Sequence, residues 1–537
     1  MFPFVISLYS LCPESSMRIL AFPLVLCFIS FIVSKLLLTT KLPPEARKLQ
    51  RNNNQMLSDQ PWKRYQAWSR TLGPIFSMRP TIHLGSHFGW LAWILPAPDP
   101  TIILDGLNTI TDLFQKQGEN FSDRPRWPMA ELLGRTENVG FTYYGGRLKR
   151  ARALLQSEFG SHKRSQWAPS IEQAVQQLVD YWKVPEQCSG DEARRCLRRT
   201  LESLMFRLTY GFEPSADVLE LIKEVNNQTG AAFQPGRWAV NSFPLLSHIP
   251  YWVPGAEFQR WAMTAKALFM KMVREPYEKT KVNHLDNSDI SCFVVNHLRD
   301  MQWNGSVNSE PDERLIMSTA GSIFTAGVDT TIAAVETILV LLSRHPHDQQ
   351  FALEEIVKTL SDERLTLEPT TGFIRLAEVE NLPYVMSIIK EALRFNPPVP
   401  VLTHSPLKDS VYKGWQIPRG SWVLANIWSL FHTSSLYPSP NRFHPKRHYS
   451  SDALDPLKFA FGMGRRVCPG IHLAMAFTTL LVAQTIMTFS IEPVSLLADS
   501  AGHEEKDLSE IKFTTGLTSH PKVFSCKLVP RVAALAT

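Results

Sequence analysis

The sequence predicts a mainly α-helical fold with small β-sheets, preceded by one N-terminal transmembrane helix. Three observations carry this. Apolar residues recur at three- and four-residue spacing through 171–182, 257–273, 313–343, 346–360 and 378–394, the period of helices with a buried face. Strand-like runs are short and confined to 73–80, 101–105, 411–425 and 511–528. The stretch from Ile19 to Ser34 carries no charge, and Lys35 is followed by three leucines. A chain of 537 residues at 44% hydrophobic has ample material for a large core.

Residues 17–39 can span a bilayer if Lys35 snorkels to the surface. A cleaved signal peptide is the rival reading, but no small-residue cleavage site follows. Lys41, Arg47, Lys48 and Arg51 cluster after the span, which leaves the bulk of the chain cytosolic. In that topology the sequons at Asn120, Asn227 and Asn304 are chance matches. Seven cysteines without paired spacing fit a reducing compartment. A net charge of +6 does not suggest nucleic acid.

Pro43-Pro44 ends the anchor and begins a rigid hinge. GPIFSMRP and TIILD read as two paired strands. The insert between them, 81–98, is far longer than a hairpin needs. It either dips into a membrane surface or is a retained intron, the reading preferred here. The segment 235–255 is rich in proline and aromatic residues. The helix at 312–343 is apolar nearly all round and should run through the centre of the protein.

That helix contains AGVDTT, Ala326 to Thr331. Gly327 thins one side of it where a ligand could lie. Asp329 and Thr330 put a carboxylate and a hydroxyl at one level, and together they can relay a proton from water to a reacting oxygen. A helical threonine can equally satisfy a backbone carbonyl and do nothing else. Glu391 and Arg394, three apart on a helix, can pair. The run FAFGMGRRVCPGIHLA, 459–474, sets Cys468 in a Gly- and Arg-rich loop before an apolar helical segment. Only a thiolate binds metal, and backbone N–H groups of a tight loop and helix start can stabilise its charge. Gly464 and Gly470 permit sharp turns and close approach to a flat macrocycle. Arg466 offers a fork of donors to an anionic edge group. Phe461 can shield the sulfur from water. These features suit a thiolate held against an iron porphyrin.

Phe461, Gly464, Arg466, Cys468 and Gly470 together resemble the cysteine-ligand loop of the cytochrome P450 family, Phe-x-x-Gly-x-Arg-x-Cys-x-Gly. AGVDTT resembles the family's oxygen-activating motif. Glu391 and Arg394, with Arg447 from RFHPKRHY, resemble its structural triad, although Pro445-Lys446-Arg447-His448 stands where the family usually has Pro-Glu-Arg-Phe. YGGRLKRAR, 144–152, resembles the helix whose Trp and Arg contact the heme edge; Arg152 keeps the Arg, and Leu148 replaces the Trp. His404 stands where the family often carries a basic residue facing a heme propionate, with a solvent-facing histidine as the alternative. The 235–255 segment resembles a loop that rests on the membrane and gates substrate entry. The resemblance covers about 62–531, apart from the insert.

The resemblance implies a heme–thiolate monooxygenase. Residues 1–42 would be anchor and hinge, and 43–537 a heme–thiolate catalytic domain facing the cytosol from the endoplasmic reticulum. Heme b (iron protoporphyrin IX) would be held by Cys468, with Arg466, Arg152 and His404 on its propionates. Electrons would come from NADPH through a flavoprotein, NADPH–cytochrome P450 reductase, with cytochrome b5 as a second donor. Lys149, Arg150, Lys163, Arg164 and Arg465 would form the docking face. One oxygen atom from O2 would enter an apolar small molecule in a pocket lined by 121–142, 225–245, 318–326, 399–402 and 514–517, with Phe324, Val399, Val401, Leu402 and Leu517 as apolar walls. The style is that of fungal secondary metabolism, with a terpenoid first, then an aromatic polyketide or indole. An oxygen-independent isomerase or dehydratase often lacks the acid–alcohol pair. A non-catalytic heme sensor or electron carrier needs neither relay nor pocket.

Overall fold

The computed structural model describes residues 42–46, 60–78, 100–233, 237–285, 287, 289–303, 310–363, 373–449, 453–494 and 511–531. The expected span at 17–39 and the insert at 81–98 lie outside these residues.

Helix α1 (Pro61–Leu72) begins with a proline, whose missing N–H is not needed in a first turn. It leads to β1 (Ile75–Met78) and β2 (Thr101–Leu104). These strands pair antiparallel across the insert, Ile75 opposite Leu104 and Met78 opposite Thr101. β2 then pairs parallel with β6 (Trp422–Asn426), and β6 antiparallel with β3 (Val401–His404), closing a four-stranded sheet in the order β1-β2-β6-β3. β3 was not among the expected strands, although it is as long as β1 and β2, which were. β4 (Ser410–Tyr412) and β5 (Trp415–Ile417) form a hairpin. The strand expectation at 511–528 is corrected. Only β8 (Cys526–Pro530) is a strand there, and its partner is β7 (Phe489–Pro493). Residues 511–521 form a loop closed by one bridge between Phe513 and Pro521. Its Ser/Thr side chains and Gly516 direct backbone groups to local partners instead of a ladder.

The remaining described chain is helical: α2 (Gly146–Phe159), α3 (Arg164–Trp182), α4 (Gly190–Tyr210), α5 (Ala216–Phe233), α6 (Glu257–His284), α7 (Phe293–Trp303), α8 (Glu310–Leu342), α9 (Pro346–Glu363), α10 (Pro383–Phe395) and α11 (Ile471–Thr488). The predicted helical windows fall inside these, except that Glu378–Asn381 is a separate 3-10 turn, because Pro383 opens a new helix. α8 is the axle of the fold and packs against α2, α4, α6, α7, α10 and α11. Both α8 and α11 are long and apolar enough to cross a membrane, but most of each is buried within the fold, which makes them core helices.

Two residues on α8 face α4. A Cβ on Gly327 would lie 2.6 Å from Met205 Cε of α4, so this side of the glycine faces the flexible end of that methionine. Phe324 packs edge-on against Phe206 of α4, with ring centroids 5.9 Å apart, within the core cluster. The cause is shared: α4 covers this flank of α8 along much of its length, and sequence spacing cannot say which flank a neighbouring helix will take.

Candidate active site

The cysteine loop runs from the short helix Leu457–Ala460 to the start of α11. Gly464 adopts φ +58°, and a Cβ there would lie 2.5 Å from the carbonyl oxygen of Phe114, so only glycine fits. Phe114 belongs to a π-helical segment, Thr111–Lys116. The Cys468 N–H donates to Phe461 O at 2.7 Å, which curls the loop around the sulfur. Burial pushes the Cys468 thiol up, while the Gly470 backbone hydrogen bond and the Arg152 charge offset part of that rise. A thiol so placed ionises readily against a metal cation. Among the described residues no group of three or more His, Cys, Asp or Glu is placed to hold a metal. Arg152 Nη2 donates to Val467 O at 2.8 Å and braces the loop from α2. Leu148, in the position where the resemblance expected a tryptophan, is buried.

On the other side of the loop, cationic groups converge. Arg466 donates from Nε to Ser122 O at 2.7 Å and from Nη2 to Thr142 O at 2.8 Å. Its Nη1 is buried without a hydrogen-bond partner among the described residues. His404 is not solvent-facing. It is buried, stacked on Phe114 at 4.1 Å, and its Nδ1 lies 2.8 Å from Phe121 O. Burial, then the charges of Arg124 and Arg466, hold its pKa well below the usual histidine range. Arg124 is the residue that sequence reasoning missed. It donates from Nε to Gly140 O at 2.7 Å and from Nη1 to Thr403 O. Burial lowers it to about 10, and burial plus the Arg124 charge lowers Arg466 to about 9. Asp123 offsets this pair of guanidiniums only in part. An orphaned N–H and an excess of buried positive charge fit the anionic edge of a porphyrin. The available signal for Arg124 was an arginine directly before Pro125, inside a window already assigned to the pocket.

The Thr330 hydroxyl donates to Ala326 O at 2.9 Å, the resting role open to any helical threonine. Asp329 is turned toward α4 and the 511–521 loop. Its Oδ1 lies 3.3 Å from Arg198 Nη2, its Oδ2 accepts from Thr518 Oγ1, and His520 Nε2 is 3.2 Å from Oδ2. Burial would raise this carboxyl, but His520, Thr518 and Arg198 bring it well below the ordinary aspartate range. The 121–142 loop rests on α8 just before this point. Val139 N–H donates to Ser322 Oγ at 3.0 Å, and Asn138 Nδ2 to Thr325 Oγ1 at 2.9 Å. The same loop brings Trp127 and Phe141 against Phe233 of α5, at 4.0 and 4.8 Å between centroids, and Trp127 against Trp422 of β6 at 4.9 Å. Three of these rings lie in windows expected to line the pocket, whereas Trp422 does not. Leu517 is 54% exposed.

Glu391 is fully buried and engaged on both oxygens. Oε1 accepts from Arg394 Nη2 at 2.9 Å, Arg447 Nε at 3.0 Å and the His444 N–H at 2.9 Å; Oε2 accepts from Arg394 Nε at 2.8 Å and lies 2.9 Å from His448 Nε2. Burial would raise the Glu391 carboxyl, but Arg394, His448 and Arg447 hold it at about 2. His448, the departure from the family pattern, joins the cluster. The expected basic docking face is corrected. Arg150 pairs with Asp312 at 2.6 Å, Arg164 with Glu380, and Arg465 bonds Tyr144 OH at 2.6 Å with Glu119 3.7 Å away. Acids from distant parts of the sequence neutralise these three, leaving less positive charge than the sequence suggests.

A family profile described as Cytochrome P450 matches residues 49–501. The chain is 31% identical over 488 residues to a tryptamine 4-monooxygenase of Psilocybe cyanescens, covering 89% of each protein. It is 29% identical over 506 residues to cytochrome P450 monooxygenase 208 of Postia placenta, covering 92% of this chain and 91% of that one. The fold superposes on a zebrafish cytochrome P450 solved with progesterone, with a TM-score of 0.68 at 20% identity, over 88% of this chain and 100% of that chain. With its single-thiolate loop, cationic edge and central helix, the chain belongs to the cytochrome P450 family and is a monooxygenase of that class.

Proposed function

We propose that Cys468 is the only protein ligand to the heme iron, that Arg466, Arg152 and His404, joined by Arg124, hold the propionates, and that Phe461 keeps water from the sulfur. The observation that carries this is the orphaned Arg466 Nη1 beside the thiolate loop. Heme bound there supplies oxygen activation, which its thiolate ligand favours by pushing electron density toward the iron. The protein's own residues do the rest. Thr330, released from Ala326 O, presents its hydroxyl to the reacting oxygen, and Asp329 passes it a proton from water. Glu391, Arg394 and Arg447 hold the fold and take no direct part.

Residues 1–42 are the anchor in the endoplasmic reticulum, and 43–537 face the cytosol. A second apolar contact with lipid is supported by Leu245, Tyr251 and Trp252, exposed by 59%, 55% and 70% between α5 and α6. Electrons from NADPH, which the flavoprotein reductase would oxidise, would pass from its flavins to the heme, with cytochrome b5 as a further donor. The substrate is an apolar small molecule of fungal secondary metabolism, and a terpenoid is the first reading. The wall of Trp127, Phe141, Phe233 and Trp422 favours a second, a flat indole or aromatic polyketide. The name of the tryptamine 4-monooxygenase relative points the same way.

The test is the carbon monoxide spectrum of the reduced protein. Cys468→Ala removes the band characteristic of a thiolate ligand, while Cys188→Ala, Cys292→Ala and Cys526→Ala keep it. A normal band in Cys468→Ala overturns the assignment.

A further inference from the structure

Asp329 and Glu336 stand about two turns apart on α8 and so share a face. One imidazole lies between them. His520 Nε2 is 3.2 Å from Asp329 Oδ2, and His520 Nδ1 is 3.2 Å from Glu336 Oε2. Both partners are acceptors, so both contacts are hydrogen bonds only when both ring nitrogens carry protons. Glu336 is 1% exposed, which makes it a fixed post rather than a surface acid.

The loop that presents His520 is tied on every side. Its N–H donates to Thr514 Oγ1 at 3.0 Å, and Thr514 N–H donates to His520 O at 2.8 Å. Ser519 N–H donates to Pro398 O at 2.9 Å, and Ser519 Oγ donates to Asn396 Oδ1 at 2.9 Å. From α4, Arg194 reaches both Glu336 Oε1 and Pro521 O, each at 2.8 Å. The other charged groups around the bridge are Arg198, 3.3 Å from Asp329, and Glu202, 3.9 Å from Arg198. Asp191, 3.9 Å from Arg194, adds a further acid, so acids outnumber the arginines they face and a protonated His520 offsets part of the excess negative charge. Burial alone would lower His520, but Asp329 and Glu336 outweigh it and lift the imidazole to about 9.

We propose that His520 is a positioning residue for the proton relay: by bridging Asp329 to the buried Glu336, it fixes the charge and direction of the Asp329 carboxylate beside Thr330. The proposal rests on the relay reading given above. It assigns a role in the reaction to the 511–521 loop, which is some 190 residues from the relay in sequence. Without His520, Asp329 keeps Arg198 and Thr518 but loses the link to Glu336. Its carboxylate then samples more directions, and proton delivery falls out of step with electron delivery.

Two measurements test this on the full-length holoprotein. The first does not depend on turnover. Exchange of the histidine C2 proton, followed by mass spectrometry, reports the titration of each histidine. His520 should titrate near 9 in the parent protein. It should fall toward the ordinary histidine range in Asp329→Asn and again in Glu336→Gln. A His520 that titrates like an exposed histidine in the parent overturns the bridge. The second measurement is product formed per NADPH in His520→Gln. We expect about a tenfold loss, smaller than the ~100-fold that removing a proton-transferring group itself brings. Heme content and substrate KM should stay unchanged, and the solvent isotope effect should rise. His520→Lys, which keeps a positive donor, should restore part of the yield. Thr330→Ala separates the two levels of argument. If Thr330→Ala leaves the yield intact, the relay reading fails. If Thr330→Ala uncouples the enzyme and His520→Gln does not, the positioning role alone fails.

Discussion

Glu391 and Asp329 are each a carboxylate facing arginine and histidine, yet they are built for opposite ends. Glu391 is 0% exposed and accepts from three side chains and one backbone N–H, all carried on two neighbouring segments. Asp329, on α8, is 34% exposed and is held by partners from two elements that meet α8 only in the folded state, α4 and the 511–521 loop. Both are kept ionised by their partners. A charge sealed in this way can only be broken by unfolding, so the Glu391 cluster fixes the fold. A charge that keeps a solvent-exposed edge can exchange protons with water, so the Asp329 cluster can serve chemistry. The same residue types thus become scaffold or machinery according to how much of the carboxylate water can reach.

The largest effect should come from Glu391→Ala. It strands the Arg394 and Arg447 guanidiniums in the core without a counter-charge, a change expected to cost about 3–5 kcal/mol. Urea unfolding followed by circular dichroism, together with heme content, should show the loss. The pH dependence has a definite sign. The folded Glu391 carboxyl sits at about 2, below its unfolded value. Its stabilisation is complete above the ordinary glutamate range and is lost as pH falls through about 2. Acid unfolding of Glu391→Gln should therefore be flatter with pH than that of the parent. A Glu391→Ala protein of parental stability would make the sealed cluster dispensable and remove the contrast.

Asp329→Asn and Thr330→Ala should do the reverse. Each exchanges a group near water, so stability should change by less than about 1 kcal/mol. Turnover coupled to product should fall by about 100-fold or more, with NADPH still consumed. Product, peroxide and NADPH measured in one reaction would show it. If Asp329→Asn unfolds the protein as readily as Glu391→Ala does, Asp329 is scaffold and its exposed edge has no chemical meaning.

The two clusters also differ in how far the sequence revealed them. The Glu391–Arg394 pair lies within one helical turn, and Arg447 follows in a recognisable loop, so local spacing was enough. The cysteine loop was legible for the same reason, because its chemistry is packed into ten consecutive residues. Asp329 and Thr330 were legible as residues, but their surroundings were not. Arg198 and His520 lie 131 and 191 residues away from Asp329, and no period or motif links them. Arg124 escaped for a related reason: its guanidinium donates to Thr403 O of β3, 279 residues away, and no local pattern links the two. Helices α3, α6, α8 and α9 were legible because one apolar face repeats through several turns, whereas α4, which buries Ala193, Leu197, Leu201 and Leu204 at the same spacing, lay outside the predicted windows. The direction of Gly327 and Phe324 was not legible, because that depends on which helix packs alongside.

The smallest effect should come from His448→Phe, and it sharpens the comparison most. His448 Nε2 lies 2.9 Å from Glu391 Oε2, much as His520 Nε2 lies 3.2 Å from Asp329 Oδ2. Substituting phenylalanine removes one hydrogen bond but strands no charge, because Arg394 Nε still donates to Oε2 at 2.8 Å. The loss of stability should then be about 1 kcal/mol, the net worth of an ordinary hydrogen bond with some compensation from the buried ring. Thermal unfolding should show a drop of a few degrees at most, with product yield per NADPH unchanged. His520→Gln should show the opposite emphasis: a lowered yield, with only a modest loss of stability because Arg194 stays 2.8 Å from Glu336. Two histidines making the same kind of contact would thus separate cleanly by readout. If His448→Phe lowered the yield while leaving stability intact, the division between a sealed cluster for the fold and an open one for the reaction would be wrong.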